Sequence, residues 1–365
     1  RLWLKSLLAP VVPFTPPVLN FSILILVACM ASCINVLFSM SVFASLQVVY
    51  SLLHRPSSKD IRVKDENPGK ILFMTAMGSN ASSLDLLMTN VNHLRAEYSG
   101  IVDVSVMHYR EPDSSWMTQN RQWYDQNVQQ AFHDPGQKIP LAAKVIHDFQ
   151  MIADYSWIWL ADDDINITQT RIPVLLTLAN ESGSPIVGPA ITSPPGVYTR
   201  PPIRSDTAEF QDKTETDLLA SLYNHLQCKP EGIECALQAP HPKCRFSYTS
   251  YVEVLAPLFR PKALWQSLHE CKECYTDTSM WGLDLVWCSR AAKLYGLPTD
   301  KGCALIDQSP IIHMDGRSLP EHGPNQAQVE EQNFAQLYKM QRLYPEDFAG
   351  MLDHLKKLPE CVALS

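Results

Sequence analysis

Strand-like and helix-like patterns alternate along the chain from residue 70 to residue 191. The strand-like stretches are short and apolar, and they cover residues 70–75, 101–108, 157–160 and 186–191. The stretches between them repeat apolar residues at helical spacing, at 84–98, 141–153 and 172–178. This alternation predicts an α/β fold with a mainly parallel sheet and helices on its faces.

A long irregular segment interrupts this rhythm. Residues 192–248 contain two Pro-Pro pairs and several cysteines and are predicted to form a long loop. The later patterns predict strands at 251–255 and 304–306, an extended piece at 310–313, and helices at 262–268, 282–294 and 326–343. We therefore predict one folded domain over residues 69–345, followed by a tail at 346–365.

The N-terminal region is dominated by an uncharged, apolar segment. No Asp, Glu, Lys or Arg occurs from Ser6 to Leu53, and residues 18–53 also lack Gly and Pro. About 20 apolar residues span a bilayer, whereas the apolar core of a signal peptide has only ~7–15. The pattern predicts a transmembrane signal anchor at 18–53, between a tail at 1–17 and a polar stem at 54–68. The alternative is a buried core helix.

Two sequence signals disagree about the orientation of this anchor. Two basic residues precede it and four follow it: Arg1 and Lys5, then Arg55, Lys59, Arg62 and Lys64. By the positive-inside rule, these charges favour a cytoplasmic domain. Glycosylation sequons at Asn80, Asn166 and Asn180 favour a lumenal one instead.

The cysteines add to the argument for a lumenal domain. Eight of them follow residue 53, and five of these lie between residues 228 and 274. An even number in a loop region is typical of disulfides in an oxidising compartment. A zinc site is the alternative, because Cys271 and Cys274 have ligand spacing, although no second close pair accompanies them. The sequence does not predict the pairing.

The balance of charge limits the partners. The chain has 30 Lys and Arg against 38 Asp and Glu, a formal net charge of −8, and no basic run. This composition argues against a nucleic-acid partner.

Three consecutive carboxylates follow the strand-like run at 157–160. Asp162 and Asp164 point to the same side of an extended chain, and they lie at the carboxyl edge of the predicted sheet, where open α/β folds bind ligands. Mg²⁺ or Mn²⁺ takes hard oxygen ligands and is commonly shared with substrate phosphates. A divalent metal bound to a diphosphate is therefore one interpretation of this motif. The others are a helix N-cap and a calcium loop.

A second motif, Met280-Trp-Gly-Leu-Asp284, is predicted to open a helix. Gly282 would allow close backbone approach to a ligand, and Asp284 could take a proton from an acceptor hydroxyl as a general base. The alternative is that Asp284 only caps its helix.

Two further residues are candidates for the same site. His313 follows a short extended piece and could complete the coordination of a metal, although a lone His is more often structural. Glu253 stands inside an apolar run, where a buried carboxylate needs a partner. That partner would be a basic residue or a polyhydroxyl ligand.

Taken in order, these motifs resemble one family. It is a plant-rich family of unknown function that is regarded as glycosyltransferases, and its members are often labelled lysine-ketoglutarate reductase trans-splicing-related. The matching motifs are YSWIWLADDDI at 155–165, YVEVLAPLF at 251–259, WGLD at 281–284, IDQSPIIHM at 306–314 and, more weakly, VSVMHY at 104–109.

The resemblance implies a GT-A fold and assigns the site residues. Asp162, Asp164 and His313 would be metal ligands for Mn²⁺ or Mg²⁺, with Asp164 the preferred one. Asp284 would act as base or acceptor anchor, and Glu253 is grouped with it as catalytic. The residues assigned to donor binding are Asp162, Asp163, Trp281 and Gly282. The loop at 192–248 contains no matching motif.

The sequence therefore predicts a single-pass type II enzyme of the Golgi or ER with a lumenal catalytic domain. It would use a nucleoside-diphosphate sugar as donor and a hydroxyl of a glycan or glycoconjugate as acceptor. The alternatives are a non-catalytic sugar-binding relative and a metal-dependent hydrolase of nucleotide sugars.

Overall fold

The computed structural model describes residues 69–192, 238–314, 326–355 and 360–364. The predicted tail, anchor and stem, and most of the predicted loop at 192–248, lie outside these residues. Within them, no helix is both long enough and apolar enough to cross a bilayer.

One sheet organises the described residues. Its strands are β1 Lys70–Met77, β2 Ile101–His108, β3 Gln130–His133, β4 Trp157–Ala161, β5 Ile165–Asn166, β6 Ile186–Thr192, β7 Cys244–Thr249, β8 Leu258–Phe259, β9 Cys303–His313 and β10 Cys361–Ala363. Their order is β10-β7-β9-β6-β8-β4-β1-β2-β3, with β5 paired to β9 off this path.

The two halves of the sheet differ in direction. In the half formed by β4, β1, β2 and β3, every pairing is parallel. In the other half β6 and β9 are parallel, whereas β8 is antiparallel to both β4 and β6, and β7 pairs antiparallel with β9 and β10. The sheet is therefore mixed, and the prediction of a mainly parallel sheet holds for these two parallel blocks and not for the strands that join and flank them. The two-residue strand β8 runs against both of its neighbours and separates the parallel blocks.

Helices connect and cover the strands. Their bounds are α1 Ala81–Glu97, α2 Ser114–Asn127, α3 Lys138–Val145, α4 Ile172–Ser182, α5 Pro261–Trp265, α6 Trp287–Tyr295, α7 Gln326–Leu343 and α8 Pro345–Leu355. Side-chain caps fix the first two starts, since Asn80 accepts a hydrogen bond from Ser83 N and Asp113 accepts one from Trp116 N, both at 2.7 Å.

Large apolar side chains fill the core between the sheet and these helices. Trp159 packs edge-on against Phe73 with ring centroids 5.8 Å apart, and Trp287 packs against Phe259 at 5.2 Å. All four side chains are buried. The register pairs Phe73 with Trp159 but Phe259 with Ile158, the neighbouring residue of β4, so the two aromatic pairs pack on opposite faces of the sheet.

Several predicted elements have different bounds in the structure. Residues 251–255 are irregular, with 251–253 buried and 254–255 partly exposed, and the nearby strand is β8, at Leu258–Phe259. The helix predicted at 282–294 begins only at Trp287, because residues 281–286 form turns. The helix predicted at 141–153 ends at Val145, and a short 3-10 turn at Phe149–Met151 follows it.

Two pieces of the C-terminal region join differently from the prediction. The strand predicted at 304–306 and the extended piece at 310–313 form one strand, β9, which pairs with β6 through a register shift between Pro189 and Ile191. The residues predicted as a tail contain α8 and β10, and β10 extends the sheet beside β7.

Three disulfides connect described cysteines: Cys244–Cys361, Cys271–Cys274 and Cys288–Cys303. The first joins β7 to β10, and the third joins α6 to β9. The Cys271–Cys274 bond replaces the zinc alternative for that pair, since disulfide sulfurs are not thiolate ligands.

Candidate active site

The three consecutive aspartates lie at the carboxyl edge of the parallel half of the sheet. They follow β4. Strand β1 pairs with β4 and ends at Met77, and β2 pairs with β1 and ends at His108. Loops that leave this edge form the ligand crevice of open α/β sheets. The three carboxylates have different partners there.

Asp163 connects the loops that follow β1 and β2. Its Oδ2 accepts hydrogen bonds from Gly78 N at 2.9 Å and from the Tyr109 hydroxyl at 3.0 Å. A Cβ atom on residue 78 would come within 2.8 Å of that hydroxyl, so the approach requires glycine. These contacts organise the loops around the predicted donor site.

Asp162 forms an ion pair with a buried lysine. Its Oδ1 lies 2.6 Å from Lys138 Nζ, and the Lys138 residue is only 3% exposed. Burial raises the pKa of Asp162, although a quarter of its side chain reaches solvent, and Lys138 opposes this rise. Asp164 and Asp163 add to the rise by charge repulsion.

Asp164 is paired with His313. Strand β5 follows the aspartates directly and pairs antiparallel with the end of β9, so that Ile165 lies opposite His313. This register places His313 Nε2 3.1 Å from Asp164 Oδ2. The other oxygen of the Asp164 carboxylate, Oδ1, is buried without a hydrogen-bond partner among the described residues.

The surrounding carboxylates also act on His313. Burial alone would lower the pKa of its imidazole, but the hydrogen bond and charge of Asp164, with the charges of Glu253 and Asp162, raise it to about 9. A protonated imidazole is therefore the state that this cluster favours near neutral pH in the absence of a metal.

Glu253 is a second buried acid at this site. Its backbone N–H donates to Gln238 Oε1 at 3.0 Å, while its own Oε2 is buried and has no hydrogen-bond partner in the described part of the chain. Burial, opposed by His313 and reinforced by Asp284 and Asp162, raises the pKa of Glu253 to about 8. The carboxyl group is thus held protonated near neutral pH.

Asp284 is a third buried acid, and it lies in the turns that precede α6. The prediction that it opens a helix is wrong, because α6 begins three residues later. Burial raises the pKa of Asp284 to about 7, although the nearby Tyr251 hydroxyl and backbone N–H groups lower it. The backbone N–H groups of that turn therefore lower the pKa of Asp284, which is the effect expected of a helix N-terminus.

Trp281 and Gly282 contact helix α7. The Trp281 ring packs edge-on against Phe334 with centroids 5.7 Å apart. Gly282 has a φ of +91°, and a Cβ there would lie 3.0 Å from Leu337 Cδ1 and 3.2 Å from Met340 Cβ. The close approach that the sequence predicts at Gly282 is thus an approach to α7, and this packing fixes the turn that carries Asp284.

The donor atoms at this edge suit a hard divalent cation. Asp164 offers a carboxylate oxygen without a partner and His313 offers a ring nitrogen, a set that Mn²⁺ or Mg²⁺ completes with phosphate oxygens and water. Asp162, Asp164 and His313 do not converge on one point, however. Among the described residues, only His241, Cys244 and Cys361 have ligand atoms all within 4.8 Å of one another, and two of these form a disulfide.

Two further residues, Lys138 and Tyr251, contact the site without any signal in the sequence. Lys138 stands in an unremarkable run, KIPLAAKV, and nothing in its spacing indicates that it meets Asp162. Tyr251 lies within the YVEVLAPLF motif, but its contact with Asp284 depends on the fold of two separate turns. A buried lysine becomes visible only when the tertiary structure shows what surrounds it.

Comparisons with known proteins give structural neighbours and a family. Glucosyl-3-phosphoglycerate synthase from Mycobacterium tuberculosis, in complex with Mn²⁺, UDP and glucosyl-3-phosphoglycerate, matches with a TM-score of 0.40 and 13% identity over 74% of this chain and 80% of that chain. Mannosyl-3-phosphoglycerate synthase from Rubrobacter xylanophilus matches with a TM-score of 0.43 and 10% identity over 78% and 77%. No curated protein matches the sequence.

The family match is at the level of sequence. It covers residues 49–349, which include every candidate site residue described above. It also agrees with the family resemblance of the motifs around Asp162 and His313. The chain belongs to the family described as "Protein of unknown function (DUF707)".

Proposed function

We propose that this chain is a metal-dependent glycosyltransferase that moves a sugar from a nucleoside-diphosphate donor to a hydroxyl of a glycan or glycoconjugate. The observation that carries the proposal is the set of acids and one imidazole at a single sheet edge. Asp164 and His313 are paired there, and Glu253 and Asp284 are buried beside them with raised pKa values.

The donor side of the proposed site consists of the aspartates and the loops they fix. Asp164 and His313 would hold the metal, and Asp163 orders the loops after β1 and β2 through Gly78 and Tyr109. A divalent cation at that position would neutralise charge on the leaving diphosphate. Trp281 and Gly282 shape the opposite wall through their packing on α7.

The acceptor side consists of the two buried acids. In the transfer, the bond between the sugar C1 and the diphosphate oxygen breaks, and its electron pair leaves with the diphosphate. The acceptor oxygen forms the new bond to C1, and its proton passes to Asp284. A general base acts best when its pKa lies near the working pH, and the pKa of Asp284 is raised to about 7.

Glu253 would assist the acceptor in its protonated state. Its pKa is raised to about 8, so near neutral pH the carboxyl group can donate a hydrogen bond as well as accept one. Its partnerless Oε2 suits a hydroxyl of the acceptor or of the donor sugar.

We also propose that the protein is anchored in the Golgi or ER membrane by residues 18–53, with the catalytic domain in the lumen. The disulfides Cys244–Cys361 and Cys288–Cys303 support an oxidising compartment. The apolar character of the segment supports the anchor.

The test is a panel of nucleotide sugars, each titrated into the protein in a thermal-shift assay with and without Mn²⁺. A ligand that binds only the native state raises the melting temperature as its concentration exceeds its dissociation constant. We expect one nucleoside-diphosphate sugar to raise it, and only with metal.

The stabilising donor is then incubated with glycan acceptors. Transfer to an acceptor supports the proposal. Release of free sugar at the same rate with and without acceptor would identify a hydrolase instead. Binding without either reaction would identify a sugar-binding protein that lacks turnover.

A further inference from the structure

A buried cation, Lys138, stands beside the candidate site. It is the first residue of α3 and is 3% exposed. A buried ammonium is costly unless it is paired, and the helix dipole does not favour a cation at a helix N-terminus. The stability of α3 therefore does not account for this lysine, and its contacts must.

The contacts of Lys138 join two separate parts of the site. Its Nζ lies 2.6 Å from Asp162 Oδ1 and donates to the carbonyl oxygens of Val254, at 2.5 Å, and Leu255, at 3.0 Å. Asp162 N also donates to the Leu255 carbonyl, at 2.9 Å. The ammonium and Asp162 therefore tie the end of β4 to the turn that directly follows Glu253.

The same contacts separate the roles of the two outer aspartates. Asp162 directs one carboxylate oxygen to the ammonium, whereas Asp164 pairs with His313 and has a buried oxygen without a partner in the described structure. A cation that recruited Asp162 Oδ1 would have to displace the ammonium from a buried ion pair. Asp164 Oδ1 is available without any such displacement.

We propose that Lys138 is a positioning residue: it fixes Asp162 as the anchor of the Glu253 turn and leaves the metal to Asp164 and His313. This inference rests on the proposed function for the metal and the donor. The inference goes beyond the proposed function in two ways: it removes Asp162 from the predicted metal ligands, and it gives Lys138 a role.

The decisive variant is the double substitution Lys138→Met with Asp162→Asn. It removes one positive and one negative charge together, so the net charge around the metal is unchanged. We expect the Kd for Mn²⁺, measured by calorimetry, to stay within about threefold of wild type, since Asp164 and His313 remain. Asp164→Asn should raise it by more than about 100-fold, because loss of even an outer-shell partner costs 10–100-fold.

Turnover is a second readout, and unlike Mn²⁺ binding it is expected to change in the double variant. In the double variant the Glu253 turn keeps backbone hydrogen bonds such as Asp162 N to the Leu255 carbonyl but loses the contacts of the ammonium, and a misplacement of about 1 Å can cost ~10²-fold in rate. We expect kcat to fall by about that factor while KM for the donor stays near wild type. A residue that only supported the fold would change Mn²⁺ binding, KM and kcat together.

Lys144→Met is the matched control. Lys144 lies on the same helix and forms an ion pair with Asp134, but its side chain is 41% exposed. We expect Mn²⁺ binding, kcat and KM to stay near wild type in this variant. A double variant that loses Mn²⁺ as severely as Asp164→Asn, or one that keeps wild-type kcat, overturns the proposal.

Lys138→Arg replaces the double variant if the latter shows no cooperative unfolding. Arginine keeps the charge but spreads its donors over a planar group, so it cannot reproduce the three contacts of a compact ammonium. We expect unchanged Mn²⁺ binding with reduced kcat, and wild-type kcat would overturn the proposal.

If wild type turns over no nucleotide sugar, the proposed function fails, but the Mn²⁺ titration still decides between the two aspartates. A wild type that binds no divalent metal overturns both.

Discussion

At the residue scale, Asp164 and Asp284 have different surroundings, and their substitutions should therefore have different effects. Asp164 pairs with His313 at the metal position, so Asp164→Asn should abolish Mn²⁺-dependent binding of nucleoside diphosphate. Asp284 lies among backbone N–H groups and Tyr251, so Asp284→Asn should leave that binding near wild type and reduce turnover by ~10²–10⁴-fold. Calorimetric titration with and without Mn²⁺, combined with initial rates, measures both effects.

His313→Ala should weaken Mn²⁺ binding less than Asp164→Asn, because water can replace one neutral ligand. Asp125→Asn serves as the control, since Asp125 forms an exposed ion pair with Arg121 far along the chain from the site. Loss of nucleotide binding in Asp284→Asn, to the extent seen in Asp164→Asn, would contradict the division into metal ligand and base.

The raised pKa of Glu253 predicts how stability depends on pH. The folded protein retains a proton on Glu253 up to about pH 8, whereas the unfolded chain releases it near the ordinary value of 4.5. The contribution of this group to the free energy of unfolding is thus complete below pH 4.5 and is lost as the pH rises towards 8. Glu253→Gln should remove this loss, a relative change on the order of 5 kcal/mol at about 1.4 kcal/mol per pKa unit.

Melting temperatures at pH 5 and pH 8.5 check this expectation. Wild type should lose more stability between these values than Glu253→Gln does. Glu181→Gln, at a partly exposed carboxylate paired with Arg245, should follow the wild-type curve. Parallel curves for wild type and Glu253→Gln would show that the carboxyl group is already ionised in the folded protein at neutral pH.

At the element scale, the turn that carries Asp284 depends on helix α7. Gly282 has a φ of +91°, and a Cβ there would lie 3.0 Å from Leu337 and 3.2 Å from Met340. Gly282→Ala should therefore destabilise the protein by about 1–2 kcal/mol through the left-handed backbone alone, and it should reduce turnover because Asp284 moves with the turn. Thermal unfolding and initial rates measure the two effects.

Gly350→Ala is the control for that substitution. Gly350 lies within α8, and a Cβ there would have no atom within 4 Å. Alanine should stabilise that helix by roughly 0.5–1 kcal/mol. If Gly282→Ala were as stable and active as wild type, the packing of the turn on α7 would matter neither for stability nor for turnover.

The sequence predicted those elements whose stability comes from local pattern. Strands β1, β2, β4 and β6 and helices α1, α4 and α7 lie where the apolar spacing indicates. The strand predicted at 251–255 was wrong, because this apolar run is irregular chain. The backbone carbonyls of Val254 and Leu255 bond to Lys138 and Asp162 instead of to a neighbouring strand. Tertiary contacts of this kind leave no periodic signal.

The candidate site could be predicted only in part, because tertiary contacts leave no signal in the sequence there either. Asp164 and His313 could be proposed as partners from the motif resemblance, and the register of β5 on β9 brings them together. The ion pair of Asp162 could not be predicted, because its partner lies 24 positions earlier in a segment without any motif. The local structure of Asp284 was predicted wrongly, since it lies in turns that precede α6.

At the scale of the whole molecule, the predicted anchor can be separated from the folded domain. No Asp, Glu, Lys or Arg occurs from Ser6 to Leu53, and the described sheet begins after this segment, at Lys70. Deletion of residues 1–54 should therefore yield a protein that stays in the supernatant after ultracentrifugation and still binds Mn²⁺. The undeleted chain, expressed alongside as the control, should pellet with membranes. A deletion product that pellets after a high-salt wash would contradict the assignment of the anchor to residues 18–53.

The order of strands has a consequence for biosynthesis. The last strand, β10, completes the sheet beside β7 and carries the partner of Cys244. Cys361 is synthesised 117 residues after Cys244, so the edge of β7 stays open and its thiol lacks this partner while the residues between them are made. Open strand edges and free thiols are the features by which nascent chains aggregate or form wrong bonds. The sheet of this protein is thus completed only once β10 has been made, and a chain that stops short of Cys361 keeps both hazards permanently.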